Sequence, residues 1–362
     1  MHNRSANRLK FRCAFYYFMI IIAFLSGCAG EQVIPPPPLV PPVEATPTQV
    51  APPAQTLVPP GESPQYTSFA VVTVKDRDTL SSLASQYLND ASKGWMIAEF
   101  NEVSEVTPGQ KLIIPLKYFE RGGLTVKGHQ TVPILAYHKF SESKADKMTV
   151  TASAFEEQMK FLKDKGYHVI TLNQLFDFLD FKIQIPKKSV VITIDDGWRS
   201  TYDIAFPILK RYGYPATLFI YTTLISGNKL TLNWDLINEM AGQGIDLQCH
   251  TRTHRNLNAP VSKESFKEYF EAIEKELLDA AKAIKMRTNR EVQYLSYPFG
   301  NINHLGIALL KKQGYRGGVT VTRAGNAFFV NNYRVNRSMI FGEYTLQQFE
   351  KNLVIFTEES LK

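Results

Sequence analysis

Cysteine is scarce in this 362-residue chain, which has three, at positions 13, 28 and 249. Cys13 and Cys28 belong to an N-terminal export leader and its edge, so Cys249 is expected to be the single free thiol of the folded body. A disulfide scaffold is thereby excluded, even in an oxidising compartment. Long apolar runs are lacking as well: the run from Cys13 to Phe24 is too short for a comfortable spanning helix, and small residues follow it. Positive charge is thinner than it looks. The formal +7 includes Arg4, Arg8, Lys10 and Arg12, and without those four it is +3, so no nucleic-acid partner is implied. What is present, 44% hydrophobic and 21% charged residues, suffices for one large core and a second, smaller domain.

The leader, residues 1–27, closes on Leu25-Ser26-Gly27-Cys28, which resembles the lipobox of a bacterial lipoprotein. The resemblance implies that Cys28 becomes the lipidated first residue and ties the chain to a membrane. Ala29, in place of an aspartate, implies an outer-membrane location facing the periplasm. Residues 28–68 are Pro-rich and nearly uncharged, a semi-rigid linker. At about 3.1 Å per residue it could reach on the order of 100 Å.

Residues 69–117 change pattern. A strand (Ala70 to Val74) leads to a helix opened by Asp78 or Thr79 as N-cap, with Leu80, Leu83, Ala84 and Tyr87 on one face. A second helix near Trp95 to Asn101 and a strand Lys111 to Ile114 complete a small α+β unit ordered strand-helix-helix-strand. Val74-x3-Asp78-Thr79-Leu80, Ile97-x3-Asn101 and Pro108-Gly109-Gln110-x-Leu112-x-Ile114-Pro115 resemble a LysM domain. That resemblance implies binding of N-acetylglucosamine-containing glycans, peptidoglycan above all, through two loops at one end of the sheet.

After a connector over residues 118–130, strands and helices alternate from residue 131 to 362. Apolar strands are expected at Thr131 to Tyr137, Tyr167 to Thr171, Val190 to Ile194, Ala216 to Tyr221, Ile245 to Cys249, Tyr294 to Ser296 and Gly317 to Val321, with a closing strand at Leu353 to Thr357. Helices are expected from Ser153, from Asn173, through Ile204 to Leu209, from Trp234, from Ser262 as cap, and over Leu305 to Lys312. Repeated strand-helix units predict an α/β fold with a mostly parallel sheet, closed or nearly closed into a barrel, whose active residues gather at the strands' carboxyl ends.

Four of those ends carry polar groups: His138; Asp195-Asp196; His250-Thr-Arg-Thr-His254; and Ser296-Tyr-Pro-Phe-Gly300. Alone, Asp195-Asp196-Gly197 is equally a strand ending in a turn whose acids cap the next helix. His250 and His254, four apart after a buried strand, can converge on one point, and two neutral imidazoles with a carboxylate make a three-ligand metal site with open positions. His129, His168 and His304 show no partner pattern and read as surface or loop residues, while Cys249 reads as a small buried filler beside His250.

Thr193-Ile194-Asp195-Asp196-Gly197 and His250-Thr251-x2-His254, together with Pro215-Ala216-Thr217-Leu218-Phe219 and Tyr297-Pro298-Phe299-Gly300, resemble the polysaccharide deacetylase family, carbohydrate esterase family 4, with its NodB homology domain. The family implies a distorted (β/α) barrel and metal-dependent removal of acetyl groups from N-acetylated sugars. It implies Asp195 as general base and Asp196, His250 and His254 as ligands of a divalent ion, zinc first, with cobalt, nickel or manganese as alternatives. Two departures stand out. Ser296 occupies the place of an arginine that orients the base, and no histidine lies near the C-terminus. His138, in Pro133-Ile-Leu-Ala-Tyr-His138, fits a rearranged subgroup resembling the poly-N-acetylglucosamine deacetylases, which implies His138 as the general acid.

Amide hydrolysis needs an activated water, a stabilised oxyanion and a proton for the departing amine. The family implies backbone N–H near Phe299 for the oxyanion. Tyr297 or Phe299 is expected to line the sugar groove, with Trp198 and Trp234 as weaker candidates. Expected partners are a GlcNAc-containing polysaccharide or peptidoglycan and, through Cys28, the membrane; a monomer is expected. Two other readings stay open: a glycoside hydrolase using Asp195 and Asp196 as its pair, and a non-catalytic tether between membrane and wall.

Overall fold

The computed structural model describes residues 69–116, 123–125 and 127–359, so the leader, Cys28 and the Pro-rich linker lie outside the described residues. No helix among the described residues is long and apolar enough to cross a membrane.

The first module is β1 (Phe69–Thr73), α1 (Leu80–Leu88), α2 (Gly94–Asn101) and β2 (Lys111–Pro115), with β1 and β2 antiparallel. Thr79 caps α1 by accepting from the Ser82 amide, while Ser82 returns a bond to the Thr79 amide. Such reciprocal capping satisfies two N–H groups that a helix end otherwise leaves bare. Val74, Leu83, Ala84, Ile97, Leu112 and Ile114 form the core. Asn101 ties α2 to β2: its amide donates to the Ile97 and Ile113 carbonyls and accepts from the Ile113 N–H. That explains an asparagine at the end of an apolar helix.

The large domain continues with β3 (Leu124–Thr125), β4 (Gly128–Gln130), β5 (Ile134–Tyr137), β6 (Lys139–Ser141), β7 (Thr149–Thr151), α3 (Ala152–Asp164), β8 (His168–Val169), α4 (Leu172–Leu179) and β9 (Ser189–Asp196). After a π-helical turn at Thr201–Ala205 come α5 (Phe206–Tyr212), β10 (Ala216–Ile220), α6 (Trp234–Gly242), β11 (Ile245–Cys249), α7 (Phe266–Thr288), β12 (Tyr294–Ser296), α8 (His304–Lys312), β13 (Gly317–Val319), β14 (Ser338–Met339), α9 (Leu346–Glu350) and β15 (Phe356–Glu358). The main sheet runs β13-β12-β11-β10-β9-β5-β14, with β8 beside β9. Every pairing in it is parallel. β9 is buried from Ser189 to Asp195, the signature of a strand covered on both faces.

The sheet curls into a distorted barrel with one irregular seam. Val335 bridges Val319, and three residues later the same segment, as β14, pairs with β5. The chain thus crosses from one sheet edge to the other within a few residues, and Arg337 sits in the crossing.

Three expectations need correction. The closing strand lies outside the barrel: β15 pairs antiparallel with β4 in a separate three-stranded sheet. α7 is capped by Ser265 rather than Ser262, because Ser265 and Glu268 form a reciprocal capping pair. His129 is buried on β4, its ring edge-on to Phe329 with the ring centres 5.1 Å apart and its Nδ1 3.8 Å from the Glu359 carboxylate.

Candidate active site

Successive strand residues point to opposite faces, so two adjacent aspartates should diverge. They do not here, because Asp196 has φ +81° and Gly197 φ +111°, which end β9 in a left-handed turn. A side chain at Gly197 would be strained and would meet Ile225 at 2.6 Å. Both carboxylates therefore approach one imidazole: His250 Nε2 lies 3.9 Å from Asp195 Oδ2 and 3.6 Å from Asp196 Oδ1.

His250 follows β11 and is buried. Its Nδ1 lies 2.7 Å from the Ser296 carbonyl oxygen, which makes Nδ1–H the donor and leaves Nε2 free to ligate. Burial pushes its pKa down to about 4 against the opposing pull of Asp195 and Asp196, so the ring is neutral near neutral pH. Left-handed Thr251 (φ +71°) and His254 (φ +63°) turn the loop so that the His254 ring meets His250 edge-on at 4.8 Å. His254 Nε2 is then 3.7 Å from Asp196 Oδ1. The other Asp196 oxygen accepts from Trp198 Nε1 at 2.8 Å, which aims the first at the histidines. Strained, non-glycine backbone concentrated around one cluster is the pattern expected where function fixes geometry.

Ligand atoms of Asp196, His250 and His254 all lie within 4.8 Å of one another. Metal–ligand bonds of about 2.0–2.2 Å place two ligand atoms no more than about 4 Å apart, so a small contraction seats an ion. Two imidazoles and one carboxylate suit zinc and its first-row neighbours. The residues fit a divalent cation.

Asp195 is held otherwise. It is 1% exposed, and Arg337, 0% exposed, grips it with a fork: Nη1 donates to Oδ1 and Nη2 to Oδ2, both at 2.7 Å. Ser296 Oγ donates to Oδ2 at 3.0 Å and accepts from Arg337 Nη2 at 2.8 Å. Arg337 also donates to the Thr320 carbonyl and to Thr193 Oγ1. Burial works to raise the Asp195 pKa, but the Arg337 guanidinium and then His250 outweigh it and hold the carboxyl well below the usual range. The arginine missing before Tyr297 is thus supplied from the barrel seam, with Ser296 filling the vacated space as a hydrogen-bonding bracket. Sequence reasoning missed Arg337. Its signal was a lone arginine inside Val335-Asn-Arg-Ser-Met-Ile340.

His138 follows β5 at the same end of the barrel. Burial lowers its pKa, opposed by the charges of Asp195 and Asp196. Phe299 is 60% exposed, with φ +61° and its ring edge-on to His254 at 4.8 Å. Tyr221, expected only as the end of a strand, flanks His254 with the ring centres 5.2 Å apart.

Tyr297 corrects an expectation: it does not line the groove. It is buried, its hydroxyl donates to the Tyr333 carbonyl, and its ring fills the space left by Gly318, where a Cβ would lie 2.0 Å from the Tyr297 hydroxyl. Trp198 is occupied too, with Nε1 on Asp196 and the Lys139 ammonium 3.9 Å above its ring. Trp234 packs partly buried against the core. Cys249 is buried and its thiol is pushed up to about 11.

The pattern of the family described as Polysaccharide deacetylase matches residues 182–318, and that of the LysM domain matches residues 72–115. The Bacillus subtilis (strain 168) protein YxkH, named as a polysaccharide deacetylase, is 32% identical over 221 residues, covering 59% of this chain and 75% of that one. The poly-β-1,6-N-acetyl-D-glucosamine N-deacetylase of Staphylococcus aureus (strain MRSA252) is 30% identical over 236 residues, covering 62% of this chain and 81% of that one. Among solved structures, the Streptococcus pyogenes deacetylase PplD in complex with acetate superposes with a TM-score of 0.55 at 23% identity, over 62% of this chain and 99% of that one. That likeness bears on the fold.

Proposed function

Since the chain belongs to the polysaccharide deacetylase family and carries a LysM domain ahead of its barrel, we propose that it removes acetyl groups from GlcNAc units of a cell-envelope polymer by metal-dependent hydrolysis. The observation that carries this reading is the convergence at one barrel end of an arginine-held carboxylate, Asp195, with the Asp196–His250–His254 cluster.

Asp196, His250 and His254 hold the cation. When bound, it supplies a Lewis acid that polarises the acetyl carbonyl and makes water a stronger acid. The second effect matters because Asp195 is a weak base: Arg337 keeps its proton affinity low. In exchange, Arg337 and Ser296 fix its orientation, so the carboxylate meets the water without reorganising. The Phe299 amide, at a left-handed position of the backbone beside His254, serves the developing oxyanion. His138 hands a proton to the departing sugar nitrogen. Its lowered pKa makes loss of that proton the alkaline limit of activity.

A glycosidase reading loses ground. Asp195 is locked in the Arg337 fork and Asp196 faces the histidines, so the two do not form a pair facing across a sugar bond. The substrate is a GlcNAc polymer, either peptidoglycan, favoured by the LysM domain, or a poly-N-acetylglucosamine, favoured by the staphylococcal relative. Acetate should appear when the full-length protein meets a β-1,6-linked GlcNAc oligomer or purified peptidoglycan, and Asp195→Asn should abolish it. Equal release by that variant removes Asp195 from its role. We further place the protein at the outer membrane, facing the periplasm, through lipidated Cys28; Cys28→Ser should move it from the membrane fraction to the soluble periplasm.

A further inference from the structure

The charged group least expected where it stands is Glu276. It lies on the face of α7 that also carries Tyr269, Ile273, Leu277, Ala280 and Ile284, and it is 7% exposed in that company. A carboxylate is costly there unless its oxygens are satisfied. They are, and all by one short loop. Oε2 accepts from the Arg252 amide at 3.1 Å and the Thr253 amide at 2.8 Å, while Oε1 accepts from the Thr253 hydroxyl at 2.7 Å.

Those donors lie between His250 and His254. The loop needs such a clamp because Thr251 and His254 both adopt left-handed backbone that β-branched and bulky residues resist. From the other side, the Arg252 carbonyl accepts from the Thr223 amide and hydroxyl, both at 2.9 Å. The loop is pinned between α7 and the segment after β10, with Glu276 supplying three of the bonds.

We propose that Glu276 is a positioning residue that fixes the separation and orientation of His254 relative to His250, and so sets the affinity of the site for its cation. The inference rests on the metal-site reading above. Glu276 is outside the set of candidate ligands and acts through the Arg252 and Thr253 amides and the Thr253 hydroxyl. Outer partners of this kind change metal affinity by about 10- to 100-fold when removed.

The test is chelator competition with Zn2+ on the purified full-length chain, paired with the Co2+ absorption spectrum and a thermal melt of the metal-free protein. Glu276→Ala should bind Zn2+ about 10- to 100-fold more weakly and alter the Co2+ spectrum. Glu276→Gln should stay within a few-fold of wild type, since its carbonyl can accept both amides and its NH2 can donate to the Thr253 hydroxyl. Glu276→Ala that melts early yet binds Zn2+ as wild type does, or Glu276→Gln as weak as Glu276→Ala, overturns the proposal. If Glu276→Ala does not fold, Thr253→Ala decides: Thr253 is exposed, and its loss must still weaken Zn2+ binding several-fold, an unchanged affinity overturning the idea. Wild type that binds no Zn2+ at all sinks the metal-site reading itself, a result distinct from a bound ion indifferent to Glu276.

Discussion

Replacing Arg337 with methionine keeps an apolar stem in the barrel seam and deletes the fork. Asp195, 1% exposed, then loses both 2.7 Å bonds that balance its charge. Removing one partner of a buried, hydrogen-bonded ion pair costs about 3–5 kcal/mol, because the other charge is left unpaired. The cost should depend on pH. In the wild type the folded pKa of Asp195 is depressed, so its contribution is fully present above the unfolded value near about 3.9 and is lost only as pH falls through the folded value. In Arg337→Met, burial acts with only the histidines and the Ser296 hydroxyl to oppose it, and the folded pKa should rise above the unfolded one. The folded variant then keeps a proton that the unfolded chain releases, so its stability falls with rising pH by up to about 1.4 kcal/mol per unit between those two values. From this residue the wild type is flat over the same range. Urea unfolding of both metal-free proteins at mildly acid and neutral pH should show a deficit that widens toward neutrality. A deficit that is constant, or that narrows as pH rises, refutes the reasoning.

Further outcomes follow from the same geometry. His138→Asn should lower the rate of acetate release by about 10²–10⁴-fold and flatten the alkaline limb of its pH profile. His254→Ala should abolish Zn2+ retention on dialysis while leaving the fold intact, since His254 is partly exposed and its ring contacts are with groups at the site. Cys249, buried with its thiol pushed up to about 11, should not react with a thiol reagent in the native protein and should react fully in denaturant.

Much of this site was legible because parallel strands buried on both faces write themselves as unbroken apolar runs. Ile245 to Cys249 was bounded as the structure has it, and the polar residues at or just beyond the ends of β5, β9, β11 and β12 fell at carboxyl ends by the same logic. What could not be read lay where long-range pairing, not local pattern, decides structure. β14 is two residues long, too short to carry a period, and so nothing in the local pattern singled out Arg337; its burial depends on the chain crossing between Val319 and β5. Tyr297 was misread because an aromatic beside a proline gives no sign of facing; the vacancy that takes it is made by Gly318, on the next strand. The α7 cap was legible and overlooked, since Ser265 and Glu268 have capping-box spacing where Ser262 lacks such a partner. Glu276 lies among apolar helix positions with no local mark of the loop it holds.

The most direct test is a three-arm acetate assay on one GlcNAc polymer: full-length protein as purified, the same protein after chelation, and the chelated protein with Zn2+ restored. The account predicts release in the first arm, none in the second and recovery in the third. Release that persists undiminished through chelation would contradict it.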